Sequence, residues 1–140
     1  MNAMEISRTA LDVEWRRLEI IAQNIANANT TRTASGEPYR PLRLVSGPRT
    51  NFASYMGGGH GQPAGVEVLS IEASSRPARR VYEPSHPDAG ADGYVSYPAI
   101  DHAGEMTRMV TTARIYEANL VAMSIARQMY AKAVEIGRRG

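Results

Sequence analysis

The amino-acid sequence predicts a mainly α fold of the α+β class. Two long terminal helices are expected to pack in a coiled-coil-like manner, with a loop-rich insert that contains short β-strands or a hairpin between them. All eight prolines lie between residues 38 and 98, and nine of the twelve glycines lie between residues 36 and 93. Both residue types disrupt helix interiors, so only the two ends can form long helices. Apolar residues also recur every seven positions at both ends, which is typical of helices that wrap around a partner helix.

The first helix is predicted from about Ala3 to Asn29. Its apolar repeat consists of Met4, Leu11, Leu18 and Ile25, with Ile21 and Ala28 at the intervening position and Ser7 and Glu14 as interruptions. Asn24, Asn27 and Asn29 occupy the last turns, although a short amide side chain competes for backbone groups and weakens a helix interior. An amide both donates and accepts hydrogen bonds, and asparagine tolerates helix ends. The asparagines are therefore expected either to cap their own helix or to bind the backbone of a neighbouring molecule.

The last helix is predicted from Gly104 to Ile136. Asp101 is the expected N-cap, Glu105 places negative charge in the first turn, and Gly137 is the expected terminator. One row of the helix contains Met109, Tyr116, Met123 and Tyr130, and the adjoining row contains Met106, Ala113, Leu120 and Val134.

The predicted helices are roughly 40 and 50 Å long at 1.5 Å per residue, which is a large apolar length for a chain of 140 residues. We therefore expect their stripes to pack against each other and against other copies or other proteins. An ordinary helical hairpin with a loop-rich insert is the alternative.

The middle of the chain carries three short strand signals. They are "GVEVLSIEA" from Gly65 to Ala73, "RRVYEP" and "GYVSYP", which are rich in β-branched and aromatic residues. The segment from Met56 to Gly65 is so rich in glycine that we interpret it as a flexible loop. The strand signals predict a small hairpin region joined by extended chain.

Composition excludes several classes of protein. Cysteine is absent, which excludes disulfides, thiol catalysis and thiolate-bound metals. The net charge is +2 and the charges are interleaved along the chain, so no nucleic-acid partner is predicted. The first residues contain charges and no continuous apolar run, and no window approaches the roughly 18 apolar residues of a membrane span. Neither a cleaved signal peptide nor a membrane span is therefore expected.

No motif for catalysis, a metal or a cofactor is present. His60, His86 and His102 lie 26 and 16 residues apart, so no two of them share a helical turn. The glycine-rich run around His60 lacks the Lys-Ser/Thr ending of a phosphate loop and opens no helix. Scattered carboxylates also argue against a cell-wall hydrolase. We expect a protein that is not an enzyme and binds no small-molecule substrate; a free-standing helical adaptor remains one interpretation.

Two stretches carry a family resemblance. "NIANANTTRTASGEPYRP", from residue 24 to 41, resembles a signature of bacterial flagellar rod, hook and hook-associated axial proteins. "VYEPSHPDAGADGYVSYPAID" and the following helix, which includes "YEAN", are most similar to a proximal-rod branch of that family. Ala99 and the His102-Ala103 pair depart from the pattern of the branch.

The resemblance implies a structural subunit of the flagellar rod, the drive shaft that transmits motor torque to the hook and filament. Residues 1–29 and 99–140 would form an inner core domain, and residues 30–98 an extended linker with a small β-rich insert. The implied partners are copies of the chain, other rod subunits and the flagellar type III export apparatus, which would deliver it without a cleaved signal peptide to the periplasm-spanning basal body. The expected interface residues are Leu11, Leu18, Ile21, Asn24, Ile25, Asn27, Asn29, Met109, Tyr116, Asn119, Leu120 and Met123.

Overall fold

The fold consists of two long helices and two β-hairpins. The computed structural model describes residues 2–49 and 65–139, so most of the predicted glycine-rich loop, residues 56–64, lies outside the described residues. The elements are α1 (Ala3–Ala26), β1 (Leu42–Pro48), β2 (Val66–Ala73), β3 (Arg79–Tyr82), β4 (Tyr94–Tyr97) and α2 (His102–Arg139). The predicted mainly α class with short antiparallel strands in the insert is confirmed.

Helix α1 begins with a capping box and ends three residues earlier than predicted. Asn2 accepts a hydrogen bond from the Glu5 amide at 2.9 Å, and the Glu5 carboxylate accepts one from the Asn2 amide at 2.9 Å. This reciprocal pair satisfies two backbone donors that the first turn leaves free. The predicted end at Asn29 is wrong, because Asn27 is the C-cap and its side chain donates to the Gln23 carbonyl at 2.9 Å.

The first hairpin packs on α1. Strands β1 and β2 pair in antiparallel fashion, from Leu42 opposite Ala73 to Pro48 opposite Val66, and β1 is an element that the sequence analysis missed. Gly47 and Pro48 gave β1 the composition of a turn. Val13 and Ile20 of α1 form a buried cluster with Leu44, against which Leu42 and Val66 also pack.

A bulge keeps the apolar side of β2 facing the helix. Val45 pairs with Ser70 and Ser46 pairs with Val68, so Leu69 has no partner in the ladder. One extra residue reverses the alternation of a strand. Ile71 and Val68 therefore face the same side of the sheet, although they are three residues apart.

The second hairpin matches the two remaining strand predictions. Arg79–Tyr82 pairs with Tyr94–Tyr97, and Val95 at its centre is fully buried. Gly93 has a φ of 76°, and a Cβ there would lie 2.7 Å from the Tyr82 ring, so only glycine fits this turn. In the described part of the chain neither strand packs against a helix or against the first hairpin.

Helix α2 begins at His102, two residues before the predicted Gly104 and directly after the predicted N-cap Asp101, and it runs past its predicted end. The Asp101 carbonyl accepts the first intrahelical hydrogen bond, from the Glu105 amide at 2.9 Å, which confirms Asp101 as the N-cap. The predicted termination at Gly137 is wrong, because the helix continues to Arg139. Gly137 lies inside it without the positive φ of a helix-ending glycine.

Candidate functional site

The two helices form an antiparallel seam. Asn24 of α1 contacts Glu105 near the start of α2, and the Trp15 ring lies 6.1 Å from the Tyr116 ring further along it. At 1.5 Å per residue, α1 is about 36 Å long and α2 about 57 Å. The longer helix therefore cannot be covered along its whole length by the shorter one.

One predicted row of α2 faces the seam and the other does not. Met109, Tyr116 and Met123 are half-buried, as expected for residues that face α1. The second row on this side of α2 contains Glu105, Thr112, Asn119 and Ala126, which are buried or half-buried. Met106, Leu120 and Val134 of the predicted adjoining row are exposed. The polar row was missed because a search for apolar repeats does not detect it.

Asn24 forms a buried polar junction between α1, β1 and α2. Its amide nitrogen donates to the Leu42 carbonyl at 2.8 Å and to the Glu105 carboxylate at 3.3 Å. Its amide oxygen accepts from the Leu42 amide and from the Tyr39 hydroxyl, each at 2.9 Å. All four hydrogen-bonding positions of the side chain are thus filled at a residue that is 2% exposed.

The negative charge of Glu105 at the junction is balanced by a neighbouring arginine. The Glu105 carboxylate, which is buried, accepts a hydrogen bond from Arg108 at 2.7 Å. Burial raises the pKa of the Tyr39 hydroxyl, and the nearby Glu105 charge adds to this shift. Both effects favour the protonated hydroxyl, which is the form that donates to Asn24.

Arg17, seven residues before Asn24, also forms hydrogen bonds with β1. Its guanidinium donates to the Leu44 carbonyl at 3.2 Å and to the Ser46 hydroxyl at 2.8 Å, and it pairs with Glu14 at 3.1 Å. Side chains from α1 thus bind the edge of β1 that faces away from β2. An edge covered in this way is a poor template for another strand.

Most of the predicted interface residues lie on surfaces that the chain covers itself. Leu11, Ile21 and Asn24 are buried; Leu18, Ile25, Asn27, Met109, Tyr116, Asn119 and Met123 are half-buried; Asn29 and Leu120 are exposed. The side chains of Asn27 and Asn119 donate to carbonyls of their own helices. A role of these residues between subunits stays a prediction.

A second apolar row lies on the flank of α2, turned by roughly 100° from the residues that face α1. We call it the outer stripe; it contains Ile115, Ala122, Ile125, Met129 and Ile136, all exposed. Four of these residues are seven positions apart, as in a helix that packs against a further helix. The sequence analysis missed this row because it assigned a single face to each helix.

The last twelve residues of α2 extend beyond α1. Extrapolated from the two seam contacts, the start of α1 lies level with about residue 127 of α2. We call residues 128–139 the overhang. From residue 128 to 138 every side chain except that of Glu135 is exposed, including Met129 at 68%, Tyr130 at 63% and Ile136 at 72%.

The second hairpin is anchored to the segment that follows α1. The Asp88 carboxylate accepts a hydrogen bond from the Thr31 hydroxyl at 2.7 Å and lies 3.5 Å from the Arg32 guanidinium. The Thr31 bond is the main cause of a lowered pKa of Asp88, and Arg32 contributes further. The conspicuous "NANTTR" stretch therefore holds the insert through its threonine and arginine.

Neither a membrane-spanning helix nor a cluster of metal ligands occurs among the described residues. The helices include none that is both long and apolar enough to cross a bilayer. The described histidines and carboxylates form no group of three that could hold a metal ion.

Comparison with known proteins gives the same family from both ends of the chain. Residues 4–32 match the family model described as flagella basal body rod protein, and residues 91–136 match the C-terminal model of the flagellar basal body rod FlgEFG proteins. These matches contain α1 and most of α2.

Several relatives that match over nearly the whole length of the chain belong to one branch of the rod proteins. The flagellar basal-body rod protein FlgC of Bacillus subtilis is 36% identical, with 98% of this chain and 97% of the relative covered. FlgC of Borreliella burgdorferi is 34% identical over 96% and 95% of the two chains, and that of Salmonella typhimurium 33% over 99% and 98%. The chain belongs to the FlgC family of flagellar basal-body rod proteins.

Proposed function

We propose that this structural subunit of the flagellar basal-body rod joins its neighbours through the outer stripe and the overhang of α2. The observation that carries the proposal is the exposure of Met129, Tyr130 and Ile136. Tyr130 is exposed because α2 extends beyond α1, and Met129 and Ile136 are exposed because the outer stripe does not face α1. Tyr130 continues the row that faces α1 earlier in the helix, so the overhang offers a seam surface that its own chain does not cover.

Burial of these side chains would supply the driving force for assembly. A large apolar side chain contributes about 1.5–3 kcal/mol when it passes from full exposure to full burial. Ile125, Met129 and Ile136 are at least half exposed, so each retains much of that gain. Part of it offsets the cost of ordering a helix end that lacks a partner.

The implied partners are copies of this chain and other rod subunits. A head-to-tail contact in which one surface meets a different surface builds a helix when the rotation does not close. Torque would pass through many such contacts at once, so the role is mechanical and requires no catalytic residue.

The domain division follows from the same contacts. We propose that residues 1–29 and 99–140 form the inner core of the rod, because α1 packs along α2. Residues 30–98 would form the insert, whose first hairpin packs on α1 and whose second hairpin contacts neither helix in the described residues.

Delivery through the flagellar type III export apparatus, without cleavage of the N-terminus, completes the proposal. Glu5 and Arg8 place charge in the first turns of α1, and Asn2 and Glu5 form its capping box, which supports a role for these residues in the folded subunit. Mass spectrometry of the subunit from purified basal bodies should therefore give an unprocessed N-terminal peptide. A uniformly shortened N-terminus would contradict this route.

The interface is tested with the double variant Met129→Glu and Ile136→Glu. Charge at both positions should prevent close packing in the rod, and glutamate is a good helix former, so the helix itself should be kept. We expect loss of motility and of complete basal bodies when the variant replaces the normal chain. Gln128→Glu is the matched control, because Gln128 is exposed on the same turn outside the outer stripe and should tolerate the charge.

The contrary outcome is equally clear. Complete rods and normal motility with the double variant, at normal protein levels, would show that these residues are not at the interface. Discrete soluble complexes of the purified protein with one partner would instead favour a helical adaptor.

A further inference from the structure

We propose that Asn24 is the residue that fixes the register of α1 against α2 and against β1. This role is internal to the subunit and holds whether or not the outer stripe is the interface of the rod. Asn24 is the one point at which a single side chain bonds to Tyr39, to the backbone of Leu42 and to Glu105. No other side-chain hydrogen bond between the described parts of α1 and α2 is present.

The apolar seam by itself leaves the register open. A slide of α1 by seven residues towards the end of α2 would replace Met109 by Tyr116, and Tyr116 by Met123, so apolar contacts would replace apolar contacts. The slide would even cover Tyr130, which is exposed in the observed register. Because α2 is fourteen residues longer than α1, there is room for it.

The polar junction removes this ambiguity. After the slide Thr112 would stand opposite Asn24 in place of Glu105, and its short hydroxyl side chain reaches less far than a carboxylate. Strand β1 is held to α1 by the bonds between Asn24 and Leu42 and would move with it, so the loss on sliding falls on the contact between Asn24 and Glu105. A buried polar group without its partner disfavours an arrangement by about ten- to a hundredfold. One buried polar residue can thus set the register of a helix pair that apolar packing leaves ambiguous.

The Asn24 amide also takes the place of a strand beside β1. It donates to the carbonyl and accepts from the amide of the same residue, Leu42, as an adjacent strand would. Leucine at position 24 would keep the apolar character of the helix face and remove both bonds. The register should then be lost while the helices remain.

The register can be measured as a distance, because the chain contains no cysteine. We would place nitroxide labels at Arg16→Cys on α1 and Gln128→Cys on α2, both exposed positions, and record the distance distribution by pulsed electron paramagnetic resonance. These positions are offset by roughly fourteen residues along the seam, so the slide would shorten the distance between them. The otherwise unsubstituted chain should give one narrow peak. Asn24→Leu should add a second peak, for a displacement of about 10 Å along the helix axis, with at least a tenfold rise in its population.

Asn119→Leu is the matched control. Asn119 lies on the seam face of α2, but its amide donates only within its own helix, to the Ile115 carbonyl at 3.1 Å. The same substitution there should leave the single peak unchanged. An equal second peak in the Asn119 variant would mean that any added leucine disturbs the seam, and would overturn the proposal.

Glu105→Ala provides a second route if Asn24→Leu fails to fold. It removes the partner on α2 and leaves the bonds between Asn24 and Leu42 in place, so the slipped peak should appear with a native circular dichroism spectrum. A single unshifted peak in every folded variant at positions 24 and 105 would overturn the proposal. A broad distribution in the unsubstituted chain would overturn it as well.

Discussion

At the scale of single residues, the three asparagines at the end of α1 differ in their burial and in their contacts. Asn24 is buried and binds groups on three other segments, whereas Asn27 caps its own helix. Asn29 is exposed. From the sequence, the three asparagines are expected either to cap the helix or to contact a neighbouring molecule. The junction within the chain is not predictable from the local sequence. The partners of Asn24 are up to 81 positions away along the chain.

Asp88 gives a prediction about pH. Its pKa is lowered in the folded chain, mainly by the Thr31 hydroxyl, so the contact stabilises the fold fully above its ordinary pKa of 3.8 and less as the pH falls through the lower folded value. Asp88→Asn should therefore lower the melting temperature at pH 6 and make little difference near pH 2. Thermal melts of both chains across this range measure the effect.

An exposed aspartate without such a bond is the control for this measurement. Asp12 lies on the solvent side of α1, and Asp12→Asn should change the melting temperature equally little at both pH values. A destabilisation by Asp88→Asn that is the same at pH 2 and pH 6 would contradict the ionic origin of the anchor.

At the scale of elements, α1 packs on β1 with one face and on α2 with another. Val13 and Ile20 pack on Leu44, seven residues apart, and Arg17 and Asn24 repeat the same interval with polar side chains. Trp15, on another side of the helix, contacts α2. The seven-residue spacing of these residues is visible in the sequence, but the apolar repeat through Leu11 and Leu18 is longer and is the one that predicts a packing face. A helix between two neighbours needs two stripes, and a single apolar repeat predicts only one.

The end of α2 gives a prediction about glycine. Gly137 is helical and has open space around its Cα, so Gly137→Ala should stabilise the overhang by up to about 1 kcal/mol and increase the helical signal. Gly36→Ala is the opposing control, because Gly36 has a φ of 83° that alanine adopts only with strain. Circular dichroism and denaturant unfolding distinguish the two, and a loss of helix in Gly137→Ala would contradict the observed extension to Arg139.

At the scale of the whole molecule, the chain covers α1 on two sides and leaves much of α2 open. Exposed apolar residues run along α2 from Met106 to Ile136, while all of the buried apolar residues of the described helices lie on α1. In the proposed function, the two ends of the sequence therefore contribute differently to assembly: the N-terminal helix would organise the subunit, and the C-terminal helix would present its surface to neighbouring subunits.

Hydrogen exchange should reveal this asymmetry. In the free subunit the amides of residues 105–123, which pack on α1, should exchange more slowly than those of the overhang. In the assembled rod both segments should be protected, because the overhang gains partners there. Mass spectrometry of exchanged peptides can follow both states, and equal protection of the overhang in the free subunit and in the rod would contradict the proposed interface.

The sequence by itself determined the two terminal helices, the start of α2 at Asp101, three of the four strands and the family. These features follow from local causes: glycine and proline positions, capping residues, apolar periodicity and short motifs. Only the tertiary structure decided which side of α2 faces α1, that β1 completes the first hairpin, and that Asn24, Tyr39 and Glu105 meet. Those outcomes depend on contacts between residues far apart in the chain, where many pairings satisfy the same pattern and burial selects one.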